Sequence, residues 1–378
     1  MPTAQLPPVL KASVHDVRYL AGLLRGVNFV NKATVTVTDT GITITVEEAR
    51  SLLATAFIFA DIFDEFVYNA EKPSLENSSQ ASDSEDAEQE NAAFEIPLGT
   101  LIECLNIFGT AGASASSSSS RARRWKRDDD DRGSENEDDN DGRRLGPNRG
   151  GDAGNTSIEQ YFASGSEKRT GMRMSYAGSG YPLMLIIAEE ADGPTTACEI
   201  TTFDPEPHLE LPFNANETEL KIILKSSWLR DALSELDPSF EKLTFIGNPP
   251  PESAAATGAQ TSARRKSAAR SGALQPPMLR IQAVGGFGSI EMDYPNDREV
   301  LETFECAQRV CFSYRAVHVT RALRALQNST KTSLRIDSSG LMSLQFLMPS
   351  PVPRSRPGTK SGTEAFIDFK ILPLDDDL

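Results

Sequence analysis

The residues ATVTVTDTGITITVEE, Ala33 to Glu48, alternate apolar and β-branched positions around Asp39-Thr40-Gly41. Strict alternation broken by such a turn specifies a β-hairpin. The form returns as TSLRIDSSGLMSLQFLM around Ser338-Ser339-Gly340. LMLIIAEEADGPTTACEIT, turning at Asp192-Gly193, and LRIQAVGGFGSIEMDYP, turning at Gly285-Gly286, are two more. Four amphipathic segments alternate with these strands: VHDVRYLAGLLRGVNF, LGTLIECLNIFG, SSWLRDALSELD and RAVHVTRALRALQ. In the first, Val17, Leu20, Leu24 and Val27 make one apolar stripe at helical spacing. Pro97 opens the second and Gly109 closes it, and Ser226 or Ser227 is the expected N-cap of the third. Helix followed by strands, twice per half, predicts two similar α+β domains with sheets in one layer and helices in the other.

Segments too polar to bury a core interrupt this pattern. Residues 71–93 are acidic and Ser-rich, 110–171 hold a serine run and mixed charge, and 248–277 are rich in Pro, Ala and Ser. With little apolar surface to offset chain entropy, all three are expected to be disordered, and 349–363 to form a shorter loop of the same kind. The domains then run 9–201 and 217–372. Residues 202–216, with Pro205, Pro207 and Pro212, make an extended connector between them.

Net charge is −16, but the three long inserts carry only −6, −1 and +3, so most of the acidity belongs to the folded part. Within it the fourth amphipathic segment is basic. His318, Arg321 and Arg324 share one helix face, while Val319, Leu323 and Leu326 point to the core. Cys104, Cys198, Cys306 and Cys311 form no CxxC pair, and there are only three histidines, so neither zinc nor a disulfide framework is expected. No run approaches the ~20 apolar residues of a membrane span, and no signal peptide is evident.

The stretches ATVTVTDTGITITVEEARSLLATAFI, GYPLMLIIAEE, LRDALSELD and FGSIEMDYP, in that order, resemble the Rad-one (Rec-one) subunit of the heterotrimeric DNA-damage checkpoint clamp, a relative of the replication clamp PCNA. The resemblance implies a PCNA-like clamp fold with outer antiparallel sheets and inner helices. It implies a non-enzymatic nuclear protein that needs no cofactor. With two other clamp subunits it would form a ring around double-stranded DNA, placed by a clamp loader and used by checkpoint and repair proteins. An inner wall needs cations that contact phosphates without reading bases. Lys11, Arg18, Arg25, Lys225, Arg230, Arg315, His318, Arg321 and Arg324 are the candidates, while the second helix has no cation and carries Glu103.

By family position, ring closure falls to two strand edges. One is Thr195, Thr196, Ala197, Cys198, Glu199, Ile200 and Thr201. The other is Phe287, Gly288, Ser289, Ile290, Glu291, Met292 and Asp293, where the Gly-rich start leaves little charge to guard the edge. Leu209, Leu211 and Phe213 of the connector either border a partner groove or anchor the connector to the sheets.

Weaker signals lie in the inserts. Asn155 to Phe162, NTSIEQYF, has the spacing of a clamp-binding peptide. RARRWKR and SARRKSAAR could serve nuclear import or loose DNA contact, and the serines at 78–86 are phosphorylation candidates. The competing class is a metal-dependent DNA exonuclease, which needs clustered carboxylates. Asp39, Asp61, Asp237 and Asp293 are far apart in sequence, and the acidic runs Asp128–Asp131 and Asp375–Asp377 lie in floppy segments. No phosphate-binding Gly-rich loop with Lys and Ser/Thr is present, since GGFG at 285–288 reads as a hairpin.

Overall fold

A computed structural model describes residues 7–70, 91–109, 111, 169–189, 193–250, 277–295, 297–349 and 364–375. The insert motifs named above lie outside these residues. At the margins of the inserts the chain is ordered sooner than expected: Ala92 and Ala93 belong to strand β6, and Gly171 to β7.

The first half runs β1 (Leu10–Val14), α1 (Val17–Val27), β2 (Lys32–Thr38), β3 (Gly41–Glu48), β4 (Leu52–Phe59), β5 (Glu65–Tyr68), β6 (Ala92–Pro97), α2 (Leu98–Leu105), β7 (Gly171–Tyr176), β8 (Leu183–Ala188) and β9 (Thr195–Ile200). The second runs β10 (Thr218–Lys225), α3 (Ser226–Ser234), β11 (Phe240–Gly247), β12 (Leu279–Gly285), β13 (Gly288–Tyr294), β14 (Leu301–Cys306), β15 (Val310–Arg315), α4 (Ala316–Arg321), α5 (Leu323–Asn328), β16 (Lys331–Asp337), β17 (Met342–Leu347) and β18 (Phe366–Ile371). All four expected hairpins pair antiparallel: β2 with β3, β8 with β9, β12 with β13 and β16 with β17. Gly41 sits at φ 149°, where an added Cβ would lie 2.2 Å from the Ile58 carbonyl oxygen. No other residue fits that position.

Two helix expectations change. The basic segment is two short helices, because Ala322 N–H bonds to the Val319 carbonyl, a three-residue step that breaks the run. The cap of α3 is Lys225 with no side-chain bond. Ser226 is instead buried, its hydroxyl 2.8 Å from that of Thr332.

Three antiparallel sheets result, ordered β5-β1-β7-β8-β9, β14-β10-β16-β17-β18-β4-β3-β2-β6 and β13-β12-β11-β15. The nine-stranded sheet joins the halves where β18 pairs β4, from Phe366 opposite Phe57 to Ile371 opposite Leu52. On the core side of this seam the small Ala54 and Ala56 face Phe369 and Ile367. Helix α1 crosses over it, packing on both strands. Gly26 permits that approach, since a Cβ there would lie 2.6 Å from Ile367 Cδ1 and 3.5 Å from Ala325. The helices make one row, α2 beside α1, α1 beside α5 and α5 beside α3. Phe369 is fully buried at the seam, its ring 6.0 Å from Phe29 and 5.7 Å from Phe346.

Candidate nucleic-acid and subunit interfaces

Helix α1 buries Val17, Leu20, Leu24 and Val27 with Leu23, which leaves Arg18 and Arg25 on its opposite side. Helix α5 buries Ala325 and Leu326 and leaves Arg324 exposed. The helix row carries four arginines, Arg18, Arg25, Arg230 and Arg324, and α4 beside it adds Arg321, but their electrostatic states differ.

Three face a carboxylate. Arg18 grips Asp16, the N-cap of α1, through Nε (3.0 Å) and Nη2 (2.7 Å). Burial pushes the Asp16 carboxyl up, but hydrogen bonds and charge from Arg18 more than offset this and leave it low. Arg230 bonds the neighbouring Asp231 at 2.9 Å. Arg321 makes a fork to Glu48 at the end of β3, Nε at 3.0 Å and Nη2 at 2.9 Å. This pair ties the two halves of the chain together.

Two arginines bond neutral carbonyls and, among the described residues, face no carboxylate. Arg25 Nη1 donates to the Ala111 carbonyl. Arg324 Nη1 donates to the Asn28 carbonyl at 2.5 Å. Asn28 caps α1, so Arg324 also meets the negative end of that helix dipole. These two cations gather near the C-terminal end of α1.

The remaining candidates leave this group. His318 is corrected outright: it is 4% exposed, and burial lowers its pKa, so it is neutral and points inward. Lys11, Lys225 and Arg315 are strand residues rather than helix ones. Lys11 alternates with buried Leu10 and Ala12 and pairs Glu65 at 2.5 Å. Lys225 falls in line with Lys221 on β10, opposite the buried Leu220, Ile222 and Leu224, and stands across from Lys331. Arg315 stands across from Lys242 and alternates with buried Tyr314. Strand alternation turns all three away from the core face that the helices cover.

The two segments assigned to ring closure are both terminal strands, β9 of the five-stranded sheet and β13 of the four-stranded one. Thr201 follows β9, and Phe287 is the hairpin tip, 96% exposed. The edge at β13 carries more charge than its glycines suggest: Arg280 of β12 bonds Glu291 at 2.7 Å and Asp293 at 2.6 Å. Beside each edge lies an apolar residue that sequence alone did not single out. Helix α2 packs on β9, and Ile107 just beyond it is exposed. Trp228 of α3 is 46% exposed, and its carbonyl accepts from the Tyr294 hydroxyl at the end of β13. An exposed Trp on a charged helix was the available signal. Cys104 of α2 is pushed up to about 11 by burial and by a hydrogen bond with Cys198 of β9.

The connector lies against the sheet. Leu211 is buried with Leu53 and Leu341, and Leu209, Phe213 and Leu372 pack around them. Lys370 Nζ bonds the Leu211 carbonyl at 2.7 Å, and Arg335 sits 4.7 Å above the Phe213 ring. All three connector side chains thus face the body as anchors.

Antiparallel sheets in one layer, a helix row in the other and open terminal strands, β9 and β13 among them, define a class, the PCNA-like DNA clamp fold. Proliferating cellular nuclear antigen from Entamoeba histolytica superposes with a TM-score of 0.57 at 11% identity, over 98% of this chain and 100% of that one. Within that class, the model of the family described as repair protein Rad1/Rec1/Rad17 matches residues 9–348, and the chain belongs to this family. It is 29% identical to the mouse cell cycle checkpoint protein RAD1, over 96% of this chain and 92% of that protein. It is 26% identical to the Schizosaccharomyces pombe DNA damage checkpoint control protein rad1, over 97% and 87%. The Mycosarcoma maydis DNA repair exonuclease REC1 is 27% identical over 97% and 96%.

Proposed function

We propose that the chain is one subunit of a heterotrimeric checkpoint clamp that encircles double-stranded DNA in the nucleus and serves checkpoint and repair proteins. It would comprise two clamp domains, 9–201 and 217–372, joined by the connector 202–216. The observation that carries this reading is the contrast within one molecule between a closed seam, β4 with β18, and the open outer flanks of β9 and β13, two of the strands that end its sheets. Each open edge would pair with a different clamp subunit, with Ile107 and Trp228 extending the contact into the helix layer. A loader would place the ring. DNA would pass the helix row without sequence readout, held by the uncompensated charge of Arg25 and Arg324. Arg321 would hold the halves in register.

The protein is read as non-catalytic. A phosphodiesterase of the two-metal type needs converging carboxylates. Among the described residues no group of three or more His, Cys, Asp or Glu could hold a metal ion. Metal-dependent digestion of DNA by the purified ring would overturn this part.

The test is retention. In a ring assembled with its two partner subunits, the pair R25E and R324E should weaken binding to closed circular DNA and flatten the salt dependence, by about one unit of slope per lost phosphate contact. Unchanged retention and slope would sink the DNA-facing assignment, whereas failure to form a three-subunit complex by mass would sink the clamp reading.

A further inference from the structure

Strand β6 pairs β2 on one side. On its other side, among the described residues, it pairs with the chain at one bridge, where Glu95 and Phe203 exchange both backbone hydrogen bonds at 2.8 and 2.9 Å. Residues two apart on an antiparallel strand point N–H and C=O the same way. Ala93 therefore presents both groups to the open side. Continuing the Glu95–Phe203 register would bring Pro205 opposite Ala93. Pro205 has no N–H to give. The connector turns instead, and Glu206 N–H bonds the Glu95 carboxylate at 2.8 Å. Among the described residues nothing pairs with the edge at Ala93.

Beside this open edge is a cavity of about 290 Å³. Its floor is Phe94 and Tyr176, both buried, with ring centroids 4.1 Å apart. Phe203, 58% exposed, lines it together with Thr202 and Asp204. The site thus combines unpaired backbone groups, an aromatic floor and one carboxylate, Asp204, in its lining.

We propose that β6 and this cavity form a docking site for an extended segment of a partner protein, one with an aromatic residue flanked by arginine or lysine. One residue of the segment pairs with Ala93 and adds a strand to the sheet. Its neighbour falls on the face of Phe94 and places an aromatic ring in the cavity, where ring-on-ring packing favours it over an aliphatic group. Flanking cations meet Asp204. The site is separate from both ring-closing edges and from the arginines of the helix row, so it does not depend on the clamp reading.

The probe is the capped peptide acetyl-Arg-Thr-Phe-Thr-Arg-amide, titrated onto the full-length chain by calorimetry. We expect saturable 1:1 binding at least tenfold tighter than that of the same peptide with Ala for Phe. A93P removes only an outward N–H, so it keeps the β2 ladder and the melting temperature while weakening binding at least tenfold. D204K should weaken the Arg peptide and not its Glu-flanked counterpart. No saturable binding, equal affinity for the Ala peptide, or binding indifferent to A93P overturns the proposal. Self-association of the wild-type chain that disappears in A93P would make a second copy the occupant, and overturns the partner assignment.

Discussion

The β4–β18 seam and the free sides of β9 and β13 are the same kind of object, the flank of an antiparallel strand, and they differ in what covers them. At the seam Ile367, Phe369 and Ile371 meet Ala56, Ala54 and Leu52, all buried, beneath α1. At β13 the residues are mostly exposed, with Glu291 and Asp293 on one face and Ile290 on the other. At β9 Glu199 and Thr195 are exposed while Cys198 turns toward α2. An edge that pairs within its own chain can be wholly apolar, because folding closes it at once. An edge that waits for another subunit must stay soluble alone, and charge on one face is how strands avoid indiscriminate pairing.

Breaking the seam should have the largest effect. F369A leaves a cavity among Phe29 and Phe346 and should destabilise the chain by about 3–5 kcal/mol in urea unfolding, with both halves affected together. Loss confined to one half would mean that the seam does not couple them.

The Arg321–Glu48 fork reinforces the same seam from its partly exposed flank, with side chains 38% and 24% exposed. A double-mutant cycle with R321A and E48A should give a coupling of about 1 kcal/mol or less. It should leave the salt slope of DNA retention nearly unchanged, unlike R324E.

Close by, His318 is buried and neutral. Its folded pKa lies below the unfolded value of about 6.5, so the unfolded chain binds the extra proton. Stability from this group is whole above that pH and is lost as pH falls below it. H318Q should therefore lose less melting temperature than the wild type between pH 7.5 and 5.5. An equal loss would place the acid sensitivity elsewhere.

The edge should respond in the opposite sense, with the smallest effect on the chain itself. Gly285 and Gly288 close the β12–β13 hairpin, so by alternation Glu291 points its N–H outward. E291P should change unfolding free energy by about 1 kcal/mol or less, in line with other surface substitutions that spare the ladder. It should nevertheless abolish one of the two subunit contacts by mass measurement. Assembly that survives E291P would show that β13 is not a ring-closing strand.

Much of this contrast is legible in residues taken a few at a time. Period two marked the four hairpins, and period 3.6 marked the buried stripe of α1 and the cations opposite it. One turn escaped. Ala49 and Arg50 both adopt positive φ, 53° and 52°, between β3 and β4. Such turns usually hold Gly or Asn, and other residues there cost roughly 1–2 kcal/mol each, so no local signal announced it.

What sequence alone determined is what short-range chemistry controls: which segments are strands or helices, which side of each is apolar, and where turns bend back. Only the tertiary structure decided which strand flank finds a partner. It also decided which cation finds a carboxylate. The helical spacing of His318, Arg321 and Arg324 is a local fact. That His318 is buried, Arg321 meets Glu48 and Arg324 meets Asn28 depends on β18 lying beside β4, some 300 residues away in the chain. Charge is written residue by residue, but its compensation is set by neighbours that only long-range packing supplies.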